Sequence, residues 1–284
     1  MNGLRVLSPE EIATAVEELA VRASIELPQD VEGALISAAE AESRPLARYA
    51  LNMLVENARI ARREGLPLCQ DTGMFHLFME LGEGTALPRG YQEAADRGLR
   101  AATAKVPLRS SLVDDPVFLR GNRGDNTPIV VHLGEGGPER GARLTLLAKG
   151  GGSENATHLY MLLPGGGEEG IKQAVVEAVK AKGAHTCPPI VVGVGVGSDA
   201  AGCIEIALRS LLRPLGSRNP RRALAGLEEE ILAAINALGI GAAGLGGDVT
   251  ALDVHLEEAP AHIASLPVGV VLCCHALRRC TSEV

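Results

Sequence analysis

Pro188-Pro189-Ile190-Val191-Val192-Gly193-Val194-Gly195-Val196-Gly197 is the stretch on which the fold turns. Two prolines remove two backbone donors and fix the chain's entry. The β-branched run that follows reads as a strand from Ile190 to Val196, with glycine at alternate positions. Alternate residues of a strand share a face, so these glycines point to close packing. They are not the dinucleotide fingerprint, and Asp199 lies too near to be its ribose-binding acid.

Working outward, a helix is expected over about Glu169–Lys182, and strands over Pro128–Leu133 and Ala142–Ala148. Downstream, Leu224, Leu227, Ile231, Ile235 and Leu238 give an apolar face to a helix over Pro220–Leu238, ended by Gly239. A glycine turn at Gly241–Gly247 leads to a strand over Thr250–Leu256 and a last apolar run over Leu266–Cys274. The first third reads as helical. Ser8-Pro9-Glu10-Glu11 combines an N-cap, a proline at the first helical position and a capping box. A second helix is expected over Pro45–Glu64, with Leu46, Tyr49, Met53, Leu54 and Ile60 on its apolar stripe and Gly65 as its stop. Helices first and mixed elements afterwards predict an α+β fold: a helical N-terminal part followed by mixed α/β with small sheets.

With 284 residues, 46% of them hydrophobic, the chain can bury a sizeable core. Its net charge of −8 gives no basic face for nucleic acid or an anionic membrane surface. No apolar run reaches membrane-span length and no signal peptide is visible, so a cytoplasmic protein is expected. In that reducing compartment, six cysteines point to metal binding or catalysis rather than disulfides.

Three cysteine motifs stand far apart. Leu68-Cys69-Gln70-Asp71-Thr72-Gly73 follows a helix and a Gly-Leu-Pro turn, so a loop can present a thiolate beside an amide and a carboxylate. Taken alone, such a cysteine reads as a buried turn residue. His185-Thr186-Cys187-Pro188-Pro189 fixes a cysteine rigidly at a strand start. Cys273-Cys274-His275-Ala276-Leu277-Arg278-Arg279-Cys280 ends a strand in adjacent cysteines and two arginines. None has the C-x-x-C spacing usual for zinc. Dispersed single cysteines suit a cluster with three protein ligands. Lys149-Gly150-Gly151-Gly152-Ser153 follows a strand and can wrap an anion with backbone amides, although it is no P-loop. Arg109 reads by default as a solvated arginine, and His262 as an ordinary surface or core histidine.

Taken in order, Leu68–Gly73, Arg120–Pro128, Ala148–Asn155, Thr186–Pro189 and Ala261–Arg279 resemble the amino-terminal iron–sulfur module of class I fumarases and L-tartrate dehydratases. The resemblance spans nearly the whole chain and implies one domain of that type over residues 1–284. It implies a [4Fe–4S] cluster held by Cys69, Cys187 and Cys274. The family spacing, a cysteine two residues before alanine and four before arginine, selects Cys274 over Cys273. It implies substrate contacts from Gln70, Arg109, Gly150, Gly151 and Gly152, and catalytic roles for Asp71 and His262. The implied reaction is reversible hydration of a small dicarboxylic acid, fumarate to malate, with L-tartrate dehydration as the alternative. A non-catalytic redox or sensing subunit is the alternative of another class, disfavoured because electron-transfer clusters normally use four cysteines. The family's second module is absent here, which implies a separate beta subunit and a heterotetramer. Asp248-Val249-Thr250 and Ser198-Asp199-Ala200-Ala201 depart from the family pattern and bear on substrate identity.

Overall fold

A computed structural model describes residues 4–284. The chain divides into two compact units, the first built from Met1–Pro28, Asn57–Gly150 and Arg278–Val284, the second from Gln29–Glu56 and Gly151–Leu277. Helices and small mixed sheets together make the expected α+β fold.

The first unit opens with strand β1 (Arg5–Val6) and helix α1 (Pro9–Ile25). The capping box forms as expected: the Ser8 hydroxyl accepts from the Glu11 N–H, and the Glu11 carboxylate accepts from the Ser8 N–H at 2.7 Å. These hydrogen bonds, with one from Arg5, pull the Glu11 carboxyl down to about 2. Strands β2 (Met74–Leu81), β4 (Val130–Glu135), β5 (Ala142–Lys149) and β10 (Arg278–Glu283) form one sheet in the order β10-β5-β2-β4, while the short β3 (Thr85–Ala86) pairs with β1. Only β2 and β4 run parallel in that four-stranded sheet. Phe75, Leu77 and Met79 alternate along β2 into a core shared with α1 and with α4 (Tyr91–Lys105). Gly98 of α4 faces α1 so closely that a Cβ there would lie 2.3 Å from the Ala13 carbonyl oxygen.

The second unit contains α2 (Gln29–Ala41), a single helical turn α5 (Gly151–Glu154), β6 (His158–Leu162), α6 (Gly167–Lys182), β7 (Ile190–Ser198), α7 (Ala200–Ser210), α8 (Arg222–Asn236), β8 (Ala251–Ala261) and β9 (Leu266–Cys273). Its sheet runs β6-β9-β7-β8, with β7 and β8 parallel. The decisive strand behaves as its period requires. Ile190, Val192 and Val194 enter a core with Val175 of α6 and Ile231 of α8. Gly193 and Gly195 face α7, where a Cβ would lie 2.2 Å from the Ala207 carbonyl oxygen and 2.1 Å from that of Cys203. Gly195 pairs in register with Gly269 of β9, whose own Cβ would lie 2.5 Å from the same Cys203 oxygen. Asp199 caps α7, accepting from the Ala201 and Gly202 N–H groups.

Helix α3 (Pro45–Glu64) forms over the expected residues, and the chain passes from one unit to the other within it. Its expected apolar stripe is corrected. Leu46, Tyr49, Met53 and Ile60 are exposed, and the buried face is Ala47, Leu51, Val55, Ala58 and Ala61. The helix carries apolar residues on two faces, and close packing takes the narrower, alanine-rich one. Among the described residues no helix is long and apolar enough to cross a membrane.

Candidate functional site

In the first unit, the loop ahead of β2 carries Cys69, Gln70 and Asp71. The Asp71 N–H points to the Cys69 sulfur at 3.4 Å, and the Gly73 N–H donates to Asp71 Oδ1 at 3.0 Å. That second bond closes a turn around the carboxylate. Gly73 lies at φ +80°, where a Cβ would meet the Lys149 carbonyl oxygen at 2.3 Å, so glycine alone fits. The Thr72 hydroxyl donates to the Arg109 carbonyl oxygen at 2.7 Å, which ties the candidate substrate arginine to the cysteine loop. The Arg109 and Gln70 side chains are exposed.

Asp71 Oδ2 turns toward Gly150. A Cβ on Gly150 would lie 2.9 Å from that oxygen and 3.9 Å from Nη2 of Arg278. Arg278 is 2% exposed, and its Nε has no hydrogen-bond partner among the described residues. A buried guanidinium beside a carboxylate is unexpected from sequence, where the arginines after Cys274 read only as a basic cluster. The signal for it was weak: Arg278 is one of two adjacent arginines opening a short terminal strand, and nothing local tells which of them turns inward.

In the second unit, Cys187 ends a short helical turn with φ 52° and ψ 67°, a left-handed conformation uncommon outside glycine. Its carbonyl oxygen accepts the His275 N–H at 3.3 Å and lies 3.0 Å from His275 Nδ1. The Cys274 N–H donates to the Ser153 hydroxyl at 3.1 Å. Cys187 and Cys274 are thereby brought onto adjoining backbone, with α5 beside them. The expected glycine loop is a helical turn from Gly151 onward: Gly151 and Gly152 are exposed at its start, and Gly152 faces the His185 carbonyl. Ser153 was not singled out by sequence reasoning, because a serine after three glycines looks like part of the turn. His262 stands in the exposed turn between β8 and β9, with its Nδ1 accepting from the Ala264 N–H at 3.1 Å.

The cysteines separate by environment. No disulfide joins any of the six. Burial pushes the Cys203 and Cys280 thiols up, which keeps them protonated and poor as ligands. Cys203 and Cys273 are buried, Cys69, Cys274 and Cys280 are half-buried, and Cys187 is exposed. Sulfur donors of this kind suit iron in clusters, so the residue types fit that group. No three His, Cys, Asp or Glu side chains among the described residues already stand as a metal-binding group.

Comparison with known proteins shows the family of the chain. The fumarate hydratase (fumerase) family model matches residues 13–283. A Methanocaldococcus jannaschii protein provisionally named L(+)-tartrate dehydratase subunit alpha is 40% identical over 278 residues, 96% of this chain and 98% of that protein. The L(+)-tartrate dehydratase subunit alpha of Escherichia coli K12 is 30% identical over 267 residues, 91% of this chain and 86% of the relative. The chain belongs to the fumarate hydratase family of hydro-lyases. Within it, the chain is of the alpha-subunit type of the two-subunit class I fumarate hydratases and tartrate dehydratases.

Proposed function

We propose that this chain is the iron–sulfur subunit of a cytoplasmic hydro-lyase that interconverts fumarate and malate together with a separate beta subunit, as a heterotetramer. Cys69, Cys187 and Cys274 are its cluster ligands. The observation that supports the reading is the backbone joining two of the three motif cysteines: the Cys187 carbonyl oxygen accepts the His275 N–H, next to Cys274, and the Cys274 N–H donates to the Ser153 hydroxyl, with neither cysteine fully buried.

A cluster with three thiolate ligands supplies, when bound, an iron with an open position that acts as a Lewis acid toward the substrate hydroxyl. The chain's own residues do the rest on this side of the reaction. Arg109 offers a planar fork to one substrate carboxylate. Gln70 and the N–H groups of Gly150, Gly151 and Gly152 orient the remaining oxygens. Asp71, held by the Gly73 N–H, carries the proton exchanged with the departing hydroxyl. His262 orients or charge-balances the substrate. The base that takes the proton from carbon comes from the beta subunit.

The names of the relatives favour a second reading, L(+)-tartrate as the substrate. Anaerobic reconstitution with a fumarase-type second subunit, followed by assays on fumarate, malate and L(+)-tartrate, tests both. Turnover of fumarate by the pair and not by either subunit alone is expected. Turnover of tartrate alone would replace the substrate, and full activity of this chain by itself would overturn the two-subunit reading.

A further inference from the structure

The chain contains three phenylalanines. Phe75 and Phe78 are each 1% exposed, as expected where aromatic surface is scarce. The third, Phe118, is 85% exposed, between Val117 at 69% and Leu119 at 88%. Three consecutive exposed apolar side chains would ordinarily mark a frayed loop.

This one is built. The Asp115 carboxylate accepts the backbone N–H groups of Val117, Phe118 and Leu119, each at 2.9 Å. Those bonds hold its carboxyl below the usual carboxylate range. The Arg120 guanidinium returns to the Pro116 carbonyl at 2.8 Å. The neck of the excursion is closed by the Asp114 N–H on the Gly121 carbonyl (2.9 Å), the Arg123 N–H on the Leu112 carbonyl (3.0 Å) and an Arg123–Asp114 ion pair. Its foot is fixed to the residue after Arg109: the Ser110 hydroxyl donates to Asn122 Oδ1 at 2.7 Å, and Asn122 Nδ2 donates to the Ser110 carbonyl at 3.0 Å. A pre-ordered apolar tip loses little entropy when it docks, and its charged neck gives the polar rim that such contacts carry.

We propose that Val117, Phe118 and Leu119 form a docking knuckle that seats in an apolar pocket of the beta subunit, next to Arg109. The inference rests on the two-subunit reading above. The occupant follows from continuity: the knuckle's foot is hydrogen-bonded to the neighbour of the substrate arginine, so the polypeptide that receives Phe118 borders the substrate. The polypeptide required there is the one that completes the chemistry.

The test is binding of the anaerobically reconstituted full-length chain to the beta subunit, by calorimetry and gel filtration. Wild type is compared with Phe118→Asp, Leu119→Asp and Asp115→Ala, with thermal melts confirming that each variant is folded. Phe118→Asp and Leu119→Asp are expected to weaken binding at least tenfold, as central apolar anchors do. Asp115→Ala is expected to weaken it less, by loosening the tip without removing it. Binding of Phe118→Asp within twofold of wild type overturns the proposal. So does a Phe118→Asp change confined to self-association of this chain, which would make the knuckle a contact between copies. If the wild-type chain itself does not bind the beta subunit, the two-subunit reading fails and this inference with it, a result distinct from loss in the variants alone.

Discussion

The His275 backbone N–H donates to the carbonyl oxygen of Cys187 across a sequence separation of 88 residues. This bond sets Cys274 beside Cys187 and leaves Cys273, one residue earlier, pointing into the core. Cys273 is the buried last residue of β9, and Cys274, the first residue beyond the strand, is half-buried.

Iron loading follows from that arrangement. Cys187→Ala and Cys274→Ala are each expected to lose most of the iron and sulfide taken up in anaerobic reconstitution, as is Cys69→Ala. Cys203→Ala and Cys280→Ala should load like wild type, because burial keeps those thiols protonated. Metal analysis of the five variants decides it, and full loading of the first three would remove the ligand assignment.

Gly150 leaves the space in which the Asp71 carboxylate and the Arg278 guanidinium face one side of the same α-carbon. Gly150→Ala should displace the carboxylate and lower kcat by about 10- to 100-fold, the scale of a 1 Å misplacement. Arg278→Lys keeps a charge but loses the fork and should also lower kcat. Measured melting temperatures show whether either effect is merely loss of fold. Unchanged kcat in both variants would mean that this geometry does not serve the reaction.

The contact of β7 and β9 with α7 leaves no room for a methyl group. Gly195→Ala or Gly269→Ala would drive a Cβ toward the Cys203 carbonyl oxygen, at 2.1 and 2.5 Å respectively. Backbone must then move, so destabilisation of about 1–3 kcal/mol or more is expected. Gly226→Ala, where no atom lies within 4 Å, is the control and should be neutral or stabilising in denaturant titration.

A buried ionic network holds the segment before α8 against β8. Asp253 takes hydrogen bonds from the Gly216 N–H (2.7 Å) and His255 (3.1 Å) and pairs with Arg218 (2.7 Å). Burial alone would push its carboxyl up, but these partners outweigh burial and bring it from 3.8 down to about 2. A carboxyl lowered on folding stabilises the native state above its unfolded value. Asp253's contribution is therefore full above about pH 4 and lost as pH falls toward 2. Asp253→Asn should cost about 1–3 kcal/mol near neutrality, because Arg218 loses its nearest carboxylate and keeps Glu228, at 3.7 Å. It should also flatten the acid limb of the stability profile, and an unchanged limb would count against the network.

Exposure on α3 makes a further distinction measurable. Leu51→Ala empties a fully buried position and should cost about 2–5 kcal/mol. Tyr49→Ser or Met53→Ser, on the exposed face, should stay within about 0.5 kcal/mol. Equal losses at both faces would restore the apolar stripe read from the sequence.

Sequence alone determined the elements whose signals are local. The capping box at Ser8–Glu11, the proline-led start and glycine stop of α3, and the glycine-alternating strand β7 all formed where period and turn chemistry put them. The ordered set of motifs also carried the family. Tertiary structure alone decided three other matters. It chose between two apolar faces of α3, because amphipathicity ranks hydrophobicity and not fit, and a tight contact prefers alanine to tyrosine. It gave Cys273 and Cys274 different surroundings, burying the first at the end of β9 and leaving the second half-buried just beyond it. It brought Arg278 and Ser153 to the motif residues by pairing β10 with β5 and by setting α5 against Cys274. Their side chains gain meaning only from partners more than a hundred residues away, and no local pattern encodes a partner at that distance.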